Sequence, residues 1–159
     1  MDGGKSKRRP SLLVLHGPNL NLLGERDVPL YGSATLAEVD DELRACARAA
    51  GVDLEILQSN HEGALIDAVQ AARGRHQAII INAGGYAHTS VALRDAIEAA
   101  GVPAVEVHVT NIHARESFRR RSLLAPVCVG QIVGFGTLGY RLALEGVLTS
   151  LLRLRKVAA

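Results

Sequence analysis

The residues able to move protons in this chain are gathered at a few places. Four of its six histidines, His16, His88, His108 and His113, stand at the ends of short apolar runs or in the loops after them. Asn19, Asn21, Arg26 and Tyr31 follow the first run, and Ser59, Asn60, His61 and Glu62 follow the second. Asn82, Tyr86 and His88 follow the third, while Glu106, His108, Thr110, Asn111, His113, Arg115 and Arg119 lie on and after the fourth. Glu106 and His108 are two residues apart, so on a strand they share a face. A carboxylate beside an imidazole there favours a charged, proton-donating histidine. Taken singly, each residue also has a plainer reading. Asn82 before Ala83-Gly84-Gly85 reads equally as a turn former, and His108 as a satisfied histidine at a strand end. Arg115, Arg119, Arg120 and Arg121 read as a solvated helix face, the role expected of Arg120 and Arg121.

Several chemistries find no support. The only lysines are Lys5, Lys7 and Lys156, near the two ends of the sequence, so no amine is placed to be buried in a pocket as Schiff-base catalysis requires. No two histidines are spaced i, i+4 on a helix, and His108 and His113 are separated by loop, which argues against a metal. The Gly-x-Ser-x-Gly elbow of serine hydrolases is missing. Gly134-Phe135-Gly136-Thr137-Leu138-Gly139 matches the dinucleotide fingerprint and runs from a strand into a helix. That fingerprint needs a further strand and an acidic residue about twenty positions on, and no acid follows Glu145. A Gly-rich turn is the expectation. A flavodoxin-like nucleotide or dinucleotide binder stays as the alternative, to be told apart by whether a cofactor copurifies.

The elements that must position these residues follow from the period of the apolar pattern. Leu12–Leu15, Val52–Leu57, Ala78–Ile81, Ala104–Val107 and Val127–Val133 are short apolar runs, three of them nearly unbroken, as in strands buried on both faces. Between them lie helical stripes. The first is Leu36, Val39, Leu43 and Ala47, opened by Ser33 or Thr35 and followed by Gly51. The second is Ala64–Ala72, and the third runs from Ser90 through Leu93, Ile97 and Ala100 to Gly101. A long polar loop spans Gly17 to Gly32, and a polar loop with a short helix runs to about Arg121. A closing helix from Thr137 to about Arg155 carries Leu138, Leu142, Leu148, Leu151 and Leu152. Strands alternating with helices predict an α/β fold with a five-stranded parallel sheet covered on both faces.

Composition narrows the partners. The chain has 159 residues, is 48% hydrophobic, 21% charged and 3% aromatic, and lacks tryptophan. That is one soluble domain with an aliphatic core and without the aromatic platform of a single-strand binder. Net charge is +2, but Lys5, Lys7, Arg8 and Arg9 against Asp2 put an excess of three positive charges in residues 1–10. The body is then slightly acidic and offers no basic face for nucleic acid. The expected division is a disordered basic tail, 1–10, and a single domain, 11–159. The apolar run after the tail stops at His16-Gly17-Pro18, too short for a signal peptide, and no stretch approaches the roughly 20 apolar residues of a membrane span. Cys46 and Cys128 are far apart in apolar surroundings, as in a reduced cytoplasmic protein.

With these residues assembled, the sequence resembles the type II 3-dehydroquinate dehydratases from about Leu12 to Leu152. The resemblance is carried by five blocks in order. They are Leu15-His16-Gly17-Pro18-Asn19-Leu20-Asn21-Leu22-Leu23-Gly24-Glu25-Arg26, Leu30-Tyr31-Gly32, Gln58-Ser59-Asn60-His61-Glu62-Gly63, Ile81-Asn82-Ala83-Gly84-Gly85-Tyr86-Ala87-His88-Thr89-Ser90, and Val105-Glu106-Val107-His108 running on to Asn111-Ile112-His113-Ala114-Arg115-Glu116. The resemblance implies a flavodoxin-like three-layer sandwich and a homododecamer built as a tetramer of trimers. It implies the anti elimination of water from 3-dehydroquinate through an enolate, giving 3-dehydroshikimate, with neither metal nor cofactor.

The same resemblance assigns roles. Tyr31 is the base for the C2 proton, with Arg26 as its cation and Arg115 adding to the field. Asn19 stabilises the enolate oxygen through a water, and His108, oriented by Glu106, protonates the departing C1 hydroxyl. Asn82, His88 and Arg119 bind substrate hydroxyls, and the backbone amides of Val109 and Thr110 receive the carboxylate. Asp95 reaches the neighbouring subunit's site within the trimer. Thr110 departs from the family's usual serine by one methyl and keeps the hydroxyl. A free phenol titrates near 10, so bringing such a base to about 8 takes roughly 2.7 kcal/mol of preferential phenolate stabilisation. The segment from about Glu25 to Gly32, carrying both Arg26 and Tyr31, is expected to close over substrate.

Overall fold

The structure is a computed structural model that describes the backbone of residues 8–158 and the side chains of residues 8–150. Lys5, Lys7, Leu151, Leu152 and Lys156 lie outside the described side chains. Arg8 and Arg9 are exposed, and the Pro10 carbonyl already accepts from the Asp53 N–H at 2.8 Å, so residue 10 belongs to the sheet margin.

Five parallel strands, β1 (Ser11–His16), β2 (Asp53–Gln58), β3 (Ala78–Asn82), β4 (Ala104–His108) and β5 (Gly130–Val133), pair in the order β2-β1-β3-β4-β5. This is the flavodoxin-like winding, whose order reverses between β1 and β3 and so leaves a crevice beyond their carboxyl ends. His16 and Asn82, the last residues of these strands, are register partners, which brings the loops after them side by side. The strand pleat sends alternate residues to opposite faces. Leu13, Leu15, Ile79 and Ile81 pack against α3 (Glu62–Ala71) and α5 (Val91–Ala100) through Leu65, Val69, Leu93 and Ile97. Leu12, Val14, Ala78 and Ile80 pack against α2 (Leu36–Ala49) and α6 (Leu138–Ala158) through Val39, Leu43, Tyr140 and Leu144.

The helix boundaries follow from capping chemistry. Thr35 accepts from the Glu38 N–H and the Glu38 carboxylate accepts from the Thr35 N–H, a reciprocal capping box. Ser90 caps α5 by accepting from the Leu93 N–H at 2.9 Å, and Gly101 at φ +65° ends it.

Two expectations change in detail. The fifth apolar run was expected to be strand from Val127, but strand begins only at Gly130 because Pro126 sits in a 3-10 turn, Ala125–Val127. There the Val127 and Cys128 amides turn back to Leu124 and Ala125. The loop from Gly17 to Gly32 is more ordered than its polarity implies. It holds a 3-10 turn, Leu20–Leu22, and a helical turn, α1 (Val28–Tyr31), anchored by buried Leu20 and Leu23. A second single turn, α4 (Tyr86–Thr89), follows β3 and carries His88. At Gly17 the chain passes so close to β3 that a Cβ would stand 2.4 Å from the Ala83 carbonyl carbon. This crossing sets Pro18 against Gly84, where an added Cβ would meet the Pro18 carbonyl oxygen at 3.1 Å.

Candidate active site

A cavity of about 180 Å³ opens beyond the carboxyl ends of β1, β3 and β4. Its lining includes Asn19 from the β1 loop, Arg26 and Tyr31 from the following segment, and Asn82 and His88 from β3 and α4. His108, Val109, Thr110, Arg115 and Arg119 come from β4 and the loop after it.

Tyr31, at the end of α1, is held by two cations. Arg115 Nη1 donates to the phenol oxygen at 2.9 Å and Arg26 Nη2 at 3.5 Å. Both guanidinium carbons also lie over the ring, at 5.5 and 4.8 Å from its centroid. The phenol oxygen thus faces two charged donors at once.

Another part of the wall carries the imidazole. Glu106 is wholly buried, and its carboxylate accepts from Ser122 Oγ at 2.6 Å and from Gln131 Nε2 at 2.8 Å. His108 Nε2 lies 2.8 Å from the same carboxylate but off the direction of a straight hydrogen bond. Burial alone pushes the Glu106 carboxyl up. The His108 contact and the Ser122 and Gln131 donors outweigh it, and the carboxyl is held below its ordinary range. Glu106 is therefore a fixed negative charge behind His108, and no described residue bonds His108 Nδ1. His88 stacks on His108 with centroids 5.9 Å apart. Its Nδ1 donates to the Arg121 carbonyl at 2.8 Å, which leaves Nε2 as the free ring atom.

Asn19 stands at φ +67°, its N–H donating to Asn60 Oδ1 at 3.0 Å. The left-handed turn, which asparagine tolerates better than most residues, carries its side chain to the cavity. Arg119 is braced by Glu116 at 3.0 Å.

Of the expected site residues, all but Glu106 and Asp95 line this cavity. Glu106 backs it through His108, and Asp95 stands exposed on α5. The four strand-end histidines divide. His88 and His108 line the cavity, while His113 is exposed outside it and His16 is buried behind it against Tyr140 and Asp40. Ser122 and Gln131, which hold Glu106, and Tyr140, which holds Asn82, were not singled out. Tyr140 is hidden in the apolar stripe of α6, and Ser122 and Gln131 carry no distinguishing pattern.

The Gly134–Gly139 turn does not present a phosphate cradle. The Gly134 and Gly136 amides donate to the carbonyls of His108 and Val109 at 3.1 and 2.9 Å. A Cβ on Gly139 would press on Val107 at 3.3 Å, so its role is close helix–strand packing.

A phenol gripped by cations and a carboxylate-backed imidazole lining one small cavity is acid–base equipment. Comparison with known proteins agrees. The family model described as "Dehydroquinase class II" matches residues 10–148. The chain belongs to this family. A 3-dehydroquinate dehydratase of Ruegeria pomeroyi is 57% identical over 137 residues, covering 86% of this chain and 92% of the relative. "Catabolic 3-dehydroquinase 2" of Aspergillus flavus is 51% identical over 147 residues, covering 92% and 98%. A crystal structure of type II dehydroquinase from Butyrivibrio crossotus aligns with a TM-score of 0.85 at 40% identity, covering 87% of this chain and 97% of that one.

Proposed function

We propose that Tyr31 and His108 carry the two proton transfers by which this hydro-lyase, a class II dehydroquinase, converts 3-dehydroquinate to 3-dehydroshikimate. The observation that carries the reading is the Tyr31 oxygen, met by Arg115 at 2.9 Å and Arg26 at 3.5 Å in the cavity that His108 also lines. The Tyr31 phenolate removes a proton from C2, beside the C3 ketone. The electrons move onto the ketone oxygen as an enolate, which Asn19 stabilises through a water. His108 gives its proton to the C1 hydroxyl, that group leaves as water, and the enolate collapses to the conjugated enone. Glu106 keeps His108 oriented and balances its positive charge.

Binding is assigned to the other polar walls. The substrate carboxylate is placed on the amides of Val109 and Thr110, and the hydroxyls on Asn82, His88 and Arg119. Asp95, exposed in one chain, is assigned to a neighbouring copy's site in a trimer, four of which make the dodecamer. Equilibrium sedimentation tests that assembly: a monomer with full activity refutes the role of Asp95 in the neighbouring site. The two free cysteines fit a cytoplasmic enzyme, and among the described residues no helix is long and apolar enough to cross a membrane. The direct test of the reaction is ultraviolet detection of the enone from 3-dehydroquinate in the presence of a metal chelator, with no cofactor added. Enone formation supports the reading, and its absence overturns it.

A further inference from the structure

Behind the cavity a line of polar side chains crosses the core from Asn82 to α2. Asn82 Nδ2 donates to the Tyr140 hydroxyl at 2.9 Å, and that hydroxyl lies 3.2 Å from His16 Nδ1. His16 Nε2 lies 2.8 Å from Asp40 Oδ1. His16 is 0%, Tyr140 1% and Asn82 4% exposed. Neither His16 nor Tyr140 lines the cavity, and neither has a part in the proton transfers described above. Three such side chains in an aliphatic core carry a desolvation cost that only a fully satisfied network offsets.

The direction of the donors is determined by the two ends. The Gly84 N–H donates to the Asn82 side chain at 3.2 Å, so the atom facing it must be the carbonyl oxygen. Asp40 Oδ1, at the far end, accepts. Burial pushes the Tyr140 phenol well up, more than the Asn82 hydrogen bond draws it down, and nearby Asp40 pushes it the same way. Tyr140 therefore keeps its proton and has one O–H to give, directed at His16 Nδ1. The His16 hydrogen then sits on Nε2 and is given to Asp40. Every donor runs one way, from Asn82 through Tyr140 and His16 to Asp40.

We propose that Asp40, His16 and Tyr140 are positioning residues that hold the Asn82 amide with its nitrogen committed and its second N–H turned to the cavity, so that this wall selects a substrate oxygen able to accept. The proposal deepens the dehydratase reading and rests on it for the assignment of Asn82 to a substrate hydroxyl. A reversed amide would turn its carbonyl toward the hydroxyl and set an N–H against the Gly84 N–H, leaving two donors facing each other without an acceptor.

Two measurements decide it. Nitrogen-15 shifts of the His16 ring in the intact protein should report a neutral ring with hydrogen on Nε2. Hydrogen on Nδ1 overturns the proposal whatever the enzyme's activity. A double-mutant cycle of Tyr140→Phe and Asn82→Ala on 3-dehydroquinate supplies the second. Tyr140→Phe should lower kcat/KM about tenfold, chiefly through KM, and in the Asn82→Ala background cost less than about twofold. Equal losses in both backgrounds overturn the link. If Tyr140→Phe does not fold, Asp40→Ala replaces it, with a severalfold rise in KM that Asp40→Asn, which keeps an acceptor oxygen, reverses. No rise in KM overturns the proposal. A wild type with no turnover refutes the dehydratase reading, while the tautomer measurement still decides the direction of the network.

Discussion

Replacing Arg115 by methionine removes the closer of the two cations on Tyr31 and keeps much of the side chain's volume. Arg115 contacts the phenol oxygen at 2.9 Å, with its side chain only 16% exposed, so solvent screens it little. A hydrogen bond to a charged group is worth about 1.5–3 kcal/mol, and each 1.36 kcal/mol is a factor of ten in rate. The expected loss in kcat/KM is therefore roughly 10- to 150-fold. The assay is initial velocity of enone formation from 3-dehydroquinate across pH, with the thermal midpoint as a check that the fold survives. In a Tyr31→Phe background the same replacement should cost no more than about threefold, since its target is gone. Full activity of Arg115→Met, or an undiminished loss in the Tyr31→Phe background, refutes the reasoning.

Three further outcomes follow. Glu106 has a depressed folded-state pKa, so its stabilisation is present above the unfolded value near 4.5 and is lost as pH falls through the folded one. Glu106→Gln should lower kcat by tenfold or more, and its urea midpoint should converge on the wild type's below pH 4.5; a gap constant across that window contradicts the assignment. Gly17→Ala sets a methyl 2.4 Å from the Ala83 backbone and should cost about 1–3 kcal/mol by chemical denaturation, with unchanged stability refuting the close crossing. If the segment from Glu25 to Gly32 closes over substrate, trypsin cleavage after Arg26 should slow sharply with a substrate analogue, and equal cleavage with and without it counts against a mobile lid.

The sheet was legible because three of its strands are nearly unbroken aliphatic runs and its helices carry Thr35, Ser90 and Gly101 at their ends, local signals that packing reinforces. The start of β5 was not. Val127-Cys128-Val129 is as apolar as a strand, and only Pro126, which lacks an amide hydrogen, marks the turn that delays it. Tyr31 was foreseen, but not that it ends a helical turn, because a single turn has no period to read. The cavity-facing residues stood out as polar groups after strands. Their supports did not, since Tyr140 reads as one more apolar residue of α6 and His16 as one more strand-end histidine. What separates His16 from His108 is the register of two strands and the reach of α2, both properties of the packed chain.

The account turns on the phenol of Tyr31 as the base. The most direct measurement is the single-turnover rate of exchange of the C2 proton of 3-dehydroquinate, compared between wild type and Tyr31→Phe at matched fold. Loss of exchange by about two to four orders of magnitude in the variant, with substrate still bound, is the result expected when general-base catalysis is removed. Exchange at the wild-type rate without the Tyr31 hydroxyl would contradict it.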